Sequence, residues 1–157
     1  MLTRHSEGAT VNRHALFIAL LLPACGHTLQ VDPDFRATVE DFERTAASVG
    51  ADVAVDDLVV EYGETSNAAA GATCYRRTMH TPRIAVDRGA WDAMTDAQKR
   101  EALFHEMGHC VLNREHTTER YPQDNCPRSI MAPSPVGDWC RNAHGEEYDR
   151  ELFGGEK

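Results

Sequence analysis

His105-Glu106-Met107-Gly108-His109 is the stretch of this chain best suited to chemistry. The two histidines stand four residues apart, so on a helix their rings leave one face a turn apart and can close on a single ion. Neutral imidazole binds zinc at about 2.0–2.1 Å, and a catalytic zinc keeps one coordination position for water. Glu106 stands beside the first histidine, where its carboxylate can take a proton from that water and pass it to a leaving amine without filling the coordination site. In a chain of this length and histidine content the pattern arises by chance with a probability on the order of one per cent. Two incidental histidines on a solvated helix are therefore the alternative that the flanking sequence must exclude. A catalytic zinc commonly has three protein ligands, which calls for another donor nearby, and Glu115 and His116 both follow within a few residues.

The motif needs a helix, and the sequence supplies one. Thr95 followed by Gln98 is a capping box, and Ala102, Leu103, Met107, Cys110 and Val111 lie on a face suited to burial. Upstream, Phe35, Val39, Phe42, Ala46 and Val49 recur at steps of four and three, predicting an amphipathic helix over Asp34 to Val49 that Gly50 ends. Leu58 to Tyr62 reads as a strand, Glu64 to Ala72 as a loop, and Thr73 to Met79 and Arg83 to Asp87 as two further strands around Thr81-Pro82. Pro82 cannot donate to a ladder, so that pair is expected away from the sheet centre. Beyond Asn113 the chain is irregular, rich in Pro, Asn, Asp and Ser, until a short final helix predicted over Glu146 to Phe153.

With 157 residues the chain has room for one core, and its net charge of -9 argues against nucleic acid, which must be met by positive charge. At the N-terminus Arg4, Arg13 and His14 precede the apolar run Ala15 to Leu22, the layout of a secretory signal and shorter than the roughly 20 residues that span a bilayer. Leu22-Pro23-Ala24-Cys25-Gly26 resembles the lipobox of bacterial lipoproteins, which implies lipid attachment at Cys25 and an envelope-anchored, exported chain. Without lipidation the same signal implies secretion. The expected organisation is a signal peptide over 1–24, a tether over 25–33 and a catalytic domain over 34–157. In an oxidising compartment Cys74, Cys110, Cys126 and Cys140 are expected as disulfides, with three pairings open. No two of them stand in C-x-x-C spacing, which argues against a finger-type metal site.

Around the motif, His105 to His116 resembles the metzincin clan of zinc peptidases, whose pattern is H-E-x-x-H-x-x-G-x-x-H. Leu112 stands at the glycine position and Glu115 at that of the last histidine, so this chain departs from the pattern. Asn113 and His116 restore the spacing one step later, and asparagine tolerates the left-handed angles that the glycine supplies. The resemblance makes His116 the expected third ligand, with Glu115 as its competitor. Ser129-Ile130-Met131-Ala132-Pro133 resembles the Met-turn of the same clan, which gives Met131 the role of an apolar floor under the histidines. The likeness runs by motif from about Thr95 to Pro133 and implies an α+β domain with a small mixed or mostly antiparallel sheet, a zinc-bearing helix and an irregular C-terminal half. It also implies a peptide or protein substrate lying extended along an edge strand. His80 and His144 read as surface residues, His27 as part of the tether, and Arg76-Arg77 as one exposed and one pairing residue. A lipid-anchored zinc protein without turnover and a zinc hydrolase of a non-peptide amide are the rival functions. The intact Glu106 speaks against the first.

Overall fold

The computed structural model describes residues 28–66 and 71–154; the proposed signal peptide, Cys25 and His27 lie outside them. Within this region the chain forms a small α+β domain of four strands and four helices: β1 (Leu29–Val31), α1 (Pro33–Ser48), β2 (Leu58–Tyr62), β3 (Ala72–Tyr75), β4 (Arg83–Val86), α2 (Arg88–Ala93), α3 (Asp96–Cys110) and α4 (Asp138–Leu152). The sheet is mixed, in the order β1-β2-β4-β3. Its first three strands run parallel, and β3 is the antiparallel edge, with Ala72 opposite Val86 and Cys74 opposite Ile84. No helix among the described residues is long and apolar enough to cross a membrane.

Local chemistry accounts for the helix ends. Asp32 caps α1 by accepting from the Asp34 N–H, Pro33 occupies the first turn, and Gly50 leaves at φ +83° where an L side chain would be strained. Both halves of the Thr95–Gln98 capping box form at α3. The register puts Leu58, Val60, Ile84, Val86, Ala72 and Cys74 on one sheet face, and α1 and α3 cover it. Phe35, Phe42, Leu58, Ile84, Leu103, Phe104 and Met107 are fully buried in that core. At about 25 cal/mol per Å² of apolar area removed from water, each such side chain contributes roughly 1.5–3 kcal/mol.

Several elements differ from expectation, each for a physical reason. The strand after Pro82 is interior, not peripheral. Pro82 lies one residue ahead of the ladder and joins it only through its carbonyl, which accepts from the Val59 N–H at 2.9 Å. Three residues of the stretch read as a tether form β1, too short to show periodicity. The strand predicted to reach Met79 stops at Tyr75, and Met79 adopts φ +66° in the turn that follows. α2, absent from the sequence reading, is a six-residue helix opened by Asp87, whose side chain accepts from the Ala90 N–H. The final helix begins at Asp138, eight residues before the expected Glu146, and a break at His144 (φ −130°) divides it. That break disrupts the 3.6-residue pattern by which its first half would be recognised.

Two disulfides brace this frame. Cys74–Cys110 ties the edge strand to the end of α3, and Cys126–Cys140 ties the irregular segment to the first turn of α4.

Candidate metal centre

α3 delivers His105, Glu106 and His109, and the chain turns back immediately after it to deliver His116. The reversal rests on Asn113, which adopts φ +55°, while the Arg114 N–H donates to the Gly108 carbonyl at 2.9 Å. The three Nε2 atoms of His105, His109 and His116 then lie 3.1 Å from one another in every pair. Their rings meet at steep or tilted angles, with no stacked pair.

The donor chemistry fits a cation. His105 Nδ1 is 2.6 Å from the Ile130 carbonyl and His109 Nδ1 is 2.7 Å from the Arg114 carbonyl, and a carbonyl can only accept. Each Nδ1 therefore carries the proton, and each Nε2 presents a lone pair to the centre of the triangle. Lone pairs converging at 3.1 Å repel unless something positive lies among them. A tetrahedral ion with bonds of about 2.0–2.1 Å sets its ligand atoms roughly 3.3–3.4 Å apart, close to this spacing. Glu115 points elsewhere: its carboxylate is paired with Arg76 at 2.9 Å and is largely exposed.

Burial sets the protonation states. Removal from water lowers the pKa of His105 to about 4, and burial likewise lowers that of His109, helped by the positive Arg76 and by His116. Both rings are thus neutral at neutral pH, the state a metal requires. Burial pushes Glu106 up to about 7, offset in part by the Cys74 N–H, which donates to Glu106 Oε2 at 2.6 Å. A cation beside it favours the ionised form. The disulfide Cys74–Cys110 reinforces the same junction, so the edge strand and α3 hold the carboxylate between them.

Against Gly108, between the two helical histidines in sequence, Met131 is fully buried. Its N–H donates to Ser129 Oγ at 2.9 Å, closing the tight turn read in the sequence, and its carbonyl accepts from the Thr117 N–H at 3.0 Å. Gly108 allows this approach, because a β-carbon there would fall within 3.0 Å of Met131 Sδ. Beside His105 and Glu106 opens a cavity of about 420 Å³, walled by Met94, Ala102, Ala132, Pro133 and Val136. Its far wall is fixed by Glu101, whose buried carboxylate accepts from the Val136 N–H and from Arg141 Nη2 at 2.8 Å.

β3 is the outer strand of the sheet among the described residues. Gly71 accepts from the Asp87 N–H at 2.9 Å, so alternation turns Thr73 and Tyr75 toward β4 and Ala72 and Cys74 outward. The bond from the Cys74 N–H to Glu106 agrees with that phase.

Sequence reasoning named the three histidines and Glu106 but missed their supports: the Cys74 N–H, the Ile130 and Arg114 carbonyls, Gly108 and the Val136 wall. Backbone groups leave no residue-type signal, and Gly108 had none beyond its place inside the motif. His80 is exposed, as expected. His144 is not the surface residue that was expected. It is largely buried, bonds Asp124 at 2.7 Å and Glu147 at 2.9 Å, and stacks on Tyr121. Asp124, Cys126 and His144 also lie within metal-binding range of one another, but the Cys126 thiol is committed to its disulfide and both His144 nitrogens to carboxylates. None of the protein families, curated proteins or solved structures compared with the chain matches it.

Proposed function

We propose that this domain is a zinc-dependent peptidase of metzincin type, with His105, His109 and His116 as metal ligands and Glu106 as general base. The observation that carries the reading is the triangle of Nε2 atoms at 3.1 Å beside a carboxylate with a raised pKa, near the edge strand β3 and an apolar cavity. Zinc, when bound, supplies Lewis acidity that polarises a carbonyl and acidifies water.

The residues of the chain divide the remaining work. An extended peptide pairs with the outward backbone of β3 at Ala72 and with the Cys74 carbonyl, which presents its own carbonyl toward the histidines. An apolar side chain beside the scissile bond enters the cavity between Ala102 and Val136, where burial rewards it. Glu106 accepts the proton of the attacking water on its carboxylate and delivers it to the departing amine nitrogen. The Cys74 N–H holds one oxygen of that carboxylate in place throughout.

Export and lipid attachment at Cys25 complete the proposal. The N-terminal layout and two disulfides, which persist in oxidising compartments, support it. Incorporation of labelled palmitate that is lost in Cys25→Ser is the corresponding test.

For the reaction itself, the measurement is cleavage of an unstructured protein by the wild-type chain and by Glu106→Gln, with bound zinc determined in both. The expected result is zinc in both and a loss of about 10²–10⁴-fold in turnover for the variant. Equal turnover in the two proteins would contradict the assignment of Glu106. Zinc in both without cleavage in either would favour a binding protein.

A further inference from the structure

Arg76 follows the last residue of β3, and its guanidinium spans the turn that carries His116. Nη1 donates to Asn113 Oδ1 and Nη2 to Glu115 Oε1 at 2.9 Å, so one side chain holds residues on both sides of Arg114 and reaches the neighbour of His116. We propose that Arg76 is a positioning residue for the third histidine, setting where His116 presents Nε2 to a metal ion. The inference rests on the metal-site reading above.

His116 needs such help more than its partners do. His105 and His109 are fixed twice, by α3 and by the carbonyls on their Nδ1 atoms. His116 is exposed, and among the described residues its Nδ1 has no hydrogen-bond partner. Its place therefore depends on the backbone of the turn. That backbone is anchored at Arg114, whose guanidinium donates to the Glu151 and Leu152 carbonyls at 2.8 and 2.9 Å, and at Thr117. Between those anchors the Arg76–Glu115 pair is the lateral restraint.

Residue type matters in this arrangement. A guanidinium is a planar fork that can hold two acceptors at once, whereas an ammonium is a point donor on a flexible stem. An exposed ion pair adds little to folding stability, so the effect of the clamp falls on metal affinity. It also occupies Glu115, the one carboxylate in the turn that would compete for the ion.

The test measures zinc affinity of the full chain by competition with a chromophoric chelator. The cobalt(II) absorption spectrum reports donor geometry, and melting without metal reports the fold. Arg76→Ala and Arg76→Lys are expected to bind zinc about 10-fold or more weakly, the effect typical of a lost support behind a ligand, with an altered cobalt spectrum. Metal-free melting should stay within about 2 °C of wild type. Glu115→Ala, at a largely exposed position that cannot unfold the chain, should weaken binding in the same direction but by less, because the Asn113 contact remains. Affinities within about twofold of wild type in Arg76→Lys and Glu115→Ala overturn the proposal, whatever happens to turnover. Wild-type protein that binds no zinc overturns the metal-site reading and this inference with it, and the two failures are thereby told apart.

Discussion

Gly108 lies between the two helical histidines, and replacing it by alanine tests whether the turn at Met131 is packed beneath them. The added β-carbon would fall under 3.0 Å from Met131 Sδ, 3.1 Å from its Cε and 3.2 Å from Leu152 Cδ1. Alanine gains about 1 kcal/mol in helix propensity over glycine. Against that, overpacking a filled core costs about 1–3 kcal/mol, and Met131 and Leu152 are both fully buried with little room to retreat. Gly108→Ala is therefore expected to destabilise the metal-free protein by about 1 kcal/mol, a fall of about 2–6 °C in melting temperature. The sharper reading comes from the cycle with Met131→Ala. Alone, that change should cost about 2–5 kcal/mol through the cavity it leaves. In the Gly108→Ala background the collision is gone and the new methyl borders the vacated space, so the two changes should couple favourably by about 1–3 kcal/mol. Denaturant melts in the presence of a chelator measure all four corners without contribution from bound metal. Additivity within about 0.5 kcal/mol would refute the packing of Met131 on Gly108, and with it the apolar floor under the histidines.

Two further outcomes concern the irregular half. Bonds to Asp124 first, and then to Glu147, raise the pKa of His144 above its ordinary value, while the Cys126 N–H and His144 lower that of Asp124. A raised histidine stabilises the fold fully below its unfolded pKa and loses that contribution as pH rises through the folded value, so the melting gap between wild type and His144→Gln should be widest near about pH 5–6 and narrow toward alkaline pH. A gap that stays constant across that range would remove the charged pair from the account. The Cys126–Cys140 bridge closes a loop with a sequence separation of 14, so replacing both cysteines by alanine should cost about 3 kcal/mol, on the order of 10 °C in melting temperature. A loss confined to about 1 kcal/mol would mean that this half is held by other contacts.

What the sequence made legible follows the range of the forces involved. α1, β2 and α3 rest on short-range patterns, namely the steps of Phe35, Val39 and Phe42, the β-branched run at Val59-Val60, and the Thr95–Gln98 box, and each appears within a residue or two of its expected ends. β1 and the interior position of β4 depend on which strands pair across the chain, a long-range choice with no local signature. The same division holds at the candidate site. Spacing along α3 put His105 and His109 on one face with Glu106 beside the first of them, and the turning ability of Asn113 suggested where His116 would arrive. The contacts of Arg76, the Cys74 N–H and the cavity wall at Val136 come from segments 30 residues or more distant from the residues they touch, Glu115, Glu106 and Glu101. Nor could composition choose among three disulfide pairings, which the closeness of β3 to the end of α3 decides.

X-ray absorption at the zinc edge on the zinc-loaded protein reads the ligand set itself. The three-histidine assignment predicts a first shell of three imidazole nitrogens at about 2.0–2.1 Å with one further light atom, falling to two imidazoles in His116→Ala. A sulfur in the shell, or an unchanged imidazole count in that variant, would contradict it.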